Sequence, residues 1–236
     1  MQSTQIDQRV SLAVSTVVFA LRPHPKTGRD TLWLPLVRRI REPYEGAWAL
    51  PGGPLESDED LVASARNTLE RTTGLTSTYL EQLYSFGEVD RSPADRVVSI
   101  VYWALVRPDD AARAVASTDQ QRENVEWFVA DEVPELAFDH NRIVEYALGR
   151  LRAKITYSPI AHAFLNPEFT LAELREVHEA VLRKPLDPAN FRRQVLASNT
   201  VIATGTCVTG TSHRPPALYR FDPESTSPTS MSRERP

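Results

Sequence analysis

Strand-length apolar runs, interrupted by only two helical stripes, fill roughly the first 150 residues, and this alternation restricts the fold to a sheet with helices packed on it. Residues 14–21 are β-branched and aromatic and predict a strand. The Pro, Gly and charged residues of 23–30 predict a hairpin loop, after which 32–39 resume as a strand. Residues 42–53 are punctuated by Pro43, Gly46, Pro51, Gly52 and Gly53 and predict irregular backbone. A helix follows. Ser57 or Asp58 is placed to cap it, Glu59 and Asp60 suit its positive end, and Leu61, Ala65 and Leu69 recur every four residues as its core stripe. Gly74 sits where a left-handed cap is wanted. Residues 83–88, 97–106 and 125–129 predict further strands. Asp139 is placed to cap a second helix over 140–152, with Ile143, Ala147 and Leu151 on one face. These features predict an α/β sandwich, preceded by a flexible N-terminus over residues 1–11.

The texture changes after Lys154. Residues 157–167 lack periodicity and predict a linker. Thr170-Leu171-Ala172-Glu173 is a capping box before a helix whose apolar face is Leu171, Leu174, Val177 and Val181, with Pro185 ending it. Asp187-Pro188 then sets a cap and a first-turn proline for a second helix, with Phe191 and Val195 pointing inward. Residues 201–204 and 217–221 predict two strands, joined by a segment containing Gly205, Gly210 and Pro215-Pro216. From Asp222 onward the chain is Ser, Pro, Thr, Arg and Glu, a composition that predicts disorder over 222–236.

The net charge of −4 excludes a uniformly basic nucleic-acid binder, so charge has to be taken segment by segment. The single cysteine, Cys207, cannot form an internal disulfide. The longest apolar runs are too short to span a bilayer, and the polar N-terminus lacks a signal-peptide core. A cytoplasmic protein without a membrane segment is expected.

Trp48-Ala49-Leu50-Pro51-Gly52-Gly53, the loop to Glu59 and the helix to Gly74-Leu75 resemble the Nudix family over residues 12 to 152. That family's signature is Gly-x5-Glu-x7-Arg-Glu-aliphatic-x-Glu-Glu-x-Gly-aliphatic. It matches at Gly53, Glu59, Leu69, Gly74 and Leu75, and the upstream Arg38-Arg39 and Trp48 strengthen the match. The resemblance implies an α/β/α sandwich with a mixed sheet, over a ligand-sensing domain of residues 12–155. The departures concern chemistry. The family's Arg-Glu falls on Asn67-Thr68 and its Glu-Glu on Arg71-Thr72. Positions 68, 71 and 72 share one helix face. In active members this face carries carboxylates holding Mg²⁺, which takes oxygen ligands and activates water. Here it reads Thr68, Arg71, Thr72, and a guanidinium in that place repels such a cation, since even two like unit charges 4 Å apart cost about 4 kcal/mol at an effective dielectric near 20. No catalytic or metal-ligating residue is therefore expected.

The same face can still hold a nucleotide diphosphate. Arg71 can replace the metal as counter-charge, and Arg38, Arg39 and Arg41 beside Trp48 suit an adenine and its phosphates. The string Phe86-Gly87-Glu88-Val89-Asp90-Arg91 resembles the strand-loop that contacts ADP-ribose in Nudix proteins acting on that ligand. The expected ligand set is Arg38, Arg39, Arg41, Trp48, Gly52, Gly53, Glu56, Arg71, Asp90 and Arg91.

Two helices joined by a short Pro-containing turn, then two strands with a Gly-rich connection, form the winged helix-turn-helix pattern, expected over residues 156–221. The second helix offers Asn190, Arg192 and Arg193 for base edges. Lys184, Thr211, Ser212, His213 and Arg214 are placed for phosphates. Between Arg183 and Arg220 six basic residues face one acid, a local balance of +5 inside an acidic chain.

Taken together, the two halves resemble the NrtR-type Nudix-related regulators of NAD metabolism, with Asn190-Phe191-Arg192-Arg193, His213-Arg214-Pro215 and Leu218-Tyr219-Arg220-Phe221 resembling that family's DNA-binding module. The resemblance implies a homodimer on palindromic operator DNA. It also implies repression of NAD biosynthesis or salvage genes relieved by ADP-ribose or a related nucleotide, with no cofactor required. The competing readings are an active Nudix hydrolase with an appended winged helix, and a module whose winged helix contacts protein.

Overall fold

In the computed structural model, residues 9–74, 77, 79–107, 124–208 and 215–226 are described. The chain divides into two compact units, one built from residues up to Ala20 and Leu32–Arg150, the other from Leu21–Thr31 and from Leu151 onward.

The first unit is a seven-stranded sheet. Strands β1 (Ser11–Pro23), β2 (Asp30–Arg38), β3 (Trp48–Ala49), β5 (Tyr79–Phe86) and β6 (Val97–Val106) run in the order β3-β2-β1-β6-β5; β4 (Gly52–Pro54) pairs with β1 and β7 (Val125–Val129) with β2. The sheet is mixed. β1 and β6 are parallel from Ser11↔Val97 to Ala20↔Val106, whereas β4 on β1, β3 and β7 on β2, and β5 on β6 are antiparallel. Central position explains why β1 and β6 read as continuous apolar runs: Val14–Leu21 and Ser99–Val106 are buried on both faces.

Helix α1 (Leu61–Thr73) lies on this sheet through its predicted stripe. Ala65 packs with Val14, Ile100 and Tyr102, and Leu69 with Val18, Ala20, Ala104 and Val106. Its start differs from expectation. Asp60, not Ser57 or Asp58, is the cap, its carboxylate accepting from the Ala63 amide at 2.7 Å, because only a side chain three residues upstream reaches that N–H. Glu59 and Asp60 thus precede the first turn. Gly74 closes the helix at φ 66°. Helix α2 (His140–Lys154) buries Ile143, Ala147 and Leu151 as expected. Asp139, expected as its cap, presents both carboxylate oxygens to Arg91 instead.

The second unit contains helices α3 (Leu171–Leu182) and α4 (Pro188–Ala197) and the antiparallel pair β8 (Val201–Cys207) and β9 (Ala217–Phe221). The capping box forms as predicted: the Thr170 hydroxyl accepts from the Glu173 amide at 3.1 Å, and the Glu173 carboxylate accepts from the Thr170 amide at 2.6 Å. α3 ends at Leu182, ahead of Pro185, with Arg183 at φ 54°. Two expectations are corrected. Pro159–Phe164, read within a linker, is a 3-10 helix burying Ile160, Ala161, Ala163 and Phe164; three residues per turn produce none of the i, i+4 periodicity by which a helix is recognised. Disorder from Asp222 is also overturned for 222–226. The Asp222 amide donates to the Thr200 carbonyl at 2.9 Å, and Pro223–Thr226 form a 3-10 turn. The rest of the expected tail, 227–236, lies outside the described residues. No helix among the described residues is long and apolar enough to cross a membrane.

Candidate effector and nucleic-acid sites

In the first unit, the strand pairing Arg38↔Trp48 brings a guanidinium and an indole to one place on the sheet. The Arg38 Nε donates to the Gly46 carbonyl at 3.2 Å, and Trp48 meets Phe128 edge-on at 5.1 Å. Arg39 is half-buried: its Nε donates to the Pro43 carbonyl at 2.8 Å, an Nη to the Arg41 carbonyl at 3.3 Å, and the guanidinium sits 4.6 Å above the Phe138 ring. Arg41, Glu56, Arg71 and Asp90 are exposed.

Gly52 is required by close approach. A Cβ there would lie 2.8 Å from both the Val14 carbonyl oxygen and the Ser15 Oγ of β1, whereas a Cβ on Gly53 would have nothing within 4 Å. Arg91 is buried rather than presented to a ligand. Its Nε and Nη2 fork onto Asp139 at 3.0 and 2.7 Å, so the expected binding residue holds its loop to the start of α2.

Three residues at this place were missed from sequence. Tyr44 (φ 65°) and Phe138 (φ 58°) are both in the left-handed region and meet edge-on at 5.0 Å. An aromatic side chain there is strained and no residue preference announces it. His140, 5.4 Å from the Phe138 ring, accepts the Leu50 amide on Nδ1 at 3.0 Å. Burial first, then the positive charge of Arg91 and Arg39, lowers its pKa to about 4 against the opposing pull of Asp139, so the ring is neutral at pH 7.

On α1, Thr68 is buried, Thr72 half-buried and Arg71 exposed, while Asn67 donates to Glu59 at 2.7 Å. Two hydroxyls and a guanidinium do not fit a hard divalent cation, which needs anionic oxygen. Among the described residues, no three His, Cys, Asp or Glu side chains are placed to share a metal ion.

In the second unit, Asp187 accepts from the Asn190 amide at 2.8 Å and Pro188 opens α4. Phe191 is buried against the His178 ring at 5.1 Å. That anchor turns Asn190, Arg192 and Arg193 outward, and all three are exposed. An Nη of Arg193 donates to the Asn190 Oδ1 at 2.7 Å, which leaves that oxygen one lone pair and the Asn190 amide N–H groups for a base edge. Lys184 is exposed between α3 and α4, while Thr211, Ser212, His213 and Arg214 lie outside the described residues. Half-buried Val195 was expected to point inward and is turned toward the Phe191 side of the helix.

Comparison with known proteins places both units. The Nudix domain matches residues 13–147, and the NrtR DNA-binding winged helix domain matches residues 161–221. A protein of Acinetobacter baylyi named ADPR responsive transcriptional repressor NtrR is 36% identical over 191 residues, covering 79% of this chain and 74% of that protein. The chain belongs to the NrtR family of Nudix proteins. The crystal structure of Shewanella oneidensis NrtR complexed with a 27mer DNA is 33% identical, covers 91% of this NrtR-family chain and 94% of its own, and superposes with a TM-score of 0.76. The ADP-ribose pyrophosphatase of Methanocaldococcus jannaschii is 31% identical over 110 residues, 47% of this chain and 62% of that protein. The architecture is accordingly α/β, a mixed-sheet Nudix domain followed by a winged helix-turn-helix.

Proposed function

We propose that the chain is a transcriptional repressor that senses ADP-ribose, or a related nucleotide, through residues 12–155 and binds DNA through residues 156–221. The observation that carries this is the co-occurrence on one chain of an exposed Asn190-Arg192-Arg193 helix face, anchored by buried Phe191, and a Nudix helix whose ligand face lacks carboxylates. Likeness to a named ADP-ribose responsive repressor along most of both chains supports the same reading.

In this account Arg38, Arg39, Arg41 and Trp48 receive the adenine and phosphate groups, Gly53 allows close approach, and Glu56, Asp90 and Arg71 complete the pocket. Arg91 and Gly52 act as positioning residues. Arg192, Arg193 and Asn190 contact base edges, and Lys184 contacts phosphate. Thr211, Ser212, His213 and Arg214 serve phosphate in the wing. The chain works as a cytoplasmic homodimer on a palindromic operator beside NAD biosynthesis or salvage genes, and it does not hydrolyse its ligand.

The test pairs two assays on the full chain: binding to DNA from its own upstream region, and release of AMP from ADP-ribose with Mg²⁺. Specific binding without turnover is expected. Metal-dependent turnover without specific DNA binding would replace the repressor by a hydrolase, the activity named for the archaeal relative.

A further inference from the structure

The second unit carries an open cavity of about 390 Å³ lined by the 3-10 helix, α3, α4 and the β8–β9 pair. The volume lies toward the small end of roughly 300–1,000 Å³ for ligand sites, room for one or two rings rather than a dinucleotide.

Its walls are aromatic and planar. His162 is stacked on Phe221 at 4.1 Å with the rings 4° apart, and Phe191, Phe169 and Tyr157 also line it. Tyr157, 70% exposed, marks the mouth with Thr156. Inside, the Ser158 hydroxyl is buried with no hydrogen-bond partner. A buried polar atom left unpaired is costly, and turning the Ser158 side chain toward an occupant would relieve it.

Charge narrows the occupant. The Asp187 carboxylate lines the cavity at the start of α4, where one oxygen accepts the Asn190 amide while the group keeps its negative charge. His178 is half-buried, and that desolvation holds it below the ordinary histidine value; its Nδ1 donates to the Leu174 carbonyl at 2.9 Å. The Nδ1 of His162 is engaged with the Pro159 carbonyl. Lys184 is the lining cation, and it has no ion-pair partner among the described residues.

We infer that this cavity is a second ligand site, separate from the Nudix domain, that takes a one- or two-ring aromatic carboxylate. The ring lies against the His162–Phe221 stack, and the carboxylate meets Lys184 and the Ser158 side. Asn190 and Lys184 both line the cavity and belong to the proposed DNA-contacting set, so an occupant that engages them withdraws them from DNA. This consequence rests on the repressor reading; the ligand site does not.

The experiment uses the full chain and 2-naphthoate as probe, followed by calorimetry without DNA. Binding at a Kd of about 0.1 mM is expected, with 2-naphthamide roughly tenfold weaker for want of charge. Ser158→Leu, which fills the interior, and Thr156→Trp, which blocks the mouth, are each expected to weaken naphthoate about tenfold while leaving ADP-ribose affinity unchanged. Two variants at separate places keep the test sound if one fails to fold. No binding up to about 1 mM, or binding that both folded variants retain, overturns the site. In a second arm, saturating naphthoate is expected to weaken DNA binding several-fold; unchanged affinity on DNA that the chain does bind overturns the link to α4. A chain that binds no DNA but still binds naphthoate removes the repressor reading and leaves the cavity assignment standing.

Discussion

His140 illustrates how one side chain can tie stability to pH. It is buried, neutral and holds the Leu50 amide, with a pKa lowered to about 4 from an ordinary 6.5. Because the unfolded chain takes up this proton more readily than the folded one, the stability it contributes is complete above pH 6.5 and is lost as pH falls toward 4. The difference corresponds to about 3 kcal/mol. His140→Gln is expected to flatten that part of the profile, read by urea denaturation between pH 7.5 and 4.5; parallel losses in both proteins would assign the acid sensitivity elsewhere. At Gly52 the expectation is steric. Gly52→Ala sets a methyl 2.8 Å from the Val14 carbonyl oxygen, so the Nudix domain should lose about 1–3 kcal/mol. A melting temperature equal to that of the parent would show that β4 can shift at no cost. Residue types in a pattern were legible here, but their commitments were not. Arg91 reads as a ligand contact from its neighbours in sequence, and only the approach of Asp139 from 48 residues away shows that its guanidinium is spent on structure. Tyr44, Phe138 and His140 converge through backbone conformation and long-range packing, neither of which leaves a local trace.

Among elements, those with a strong period and a chemical start or stop were legible. β6, β7 and β9 fall where their apolar runs predict, and α3 and α4 start at their capping box and Asp-Pro signal. β3 and β4, two and three residues long, are too short to carry a period, and their pairing with β2 and β1 comes from tertiary register. α4 is where local energetics and proposed function meet. Asp187→Ala removes the cap and is expected to cost about 1 kcal/mol. Phe191→Ala opens the anchor and is expected to cost about 3–5 kcal/mol. Arg192→Ala and Arg193→Ala leave the anchor intact. Each is expected to leave the melting temperature unchanged while weakening specific DNA binding by about 1–3 kcal/mol, or to reduce the salt slope by roughly 1 where the contact is to phosphate. DNA affinity unaltered at both positions would move the interface off this helix.

For the whole molecule, the proposed function requires that the Nudix domain and the winged helix influence one another's ligands. Each domain is legible alone, the first from its Gly-Gly turn and helix, the second from caps and a basic balance of +5 within a chain of −4. Coupling between them is a free energy, which no local motif encodes. For allosteric proteins it is typically 1–3 kcal/mol, so ADP-ribose is expected to weaken operator binding by about 5- to 150-fold, and the operator to weaken ADP-ribose binding by the same factor. The most direct measurement is fluorescence anisotropy of the full chain on its operator at fixed salt, titrated with ADP-ribose in the absence of Mg²⁺. The account predicts tight binding that ADP-ribose releases without metal; operator affinity that ADP-ribose leaves unchanged or tightens would contradict it.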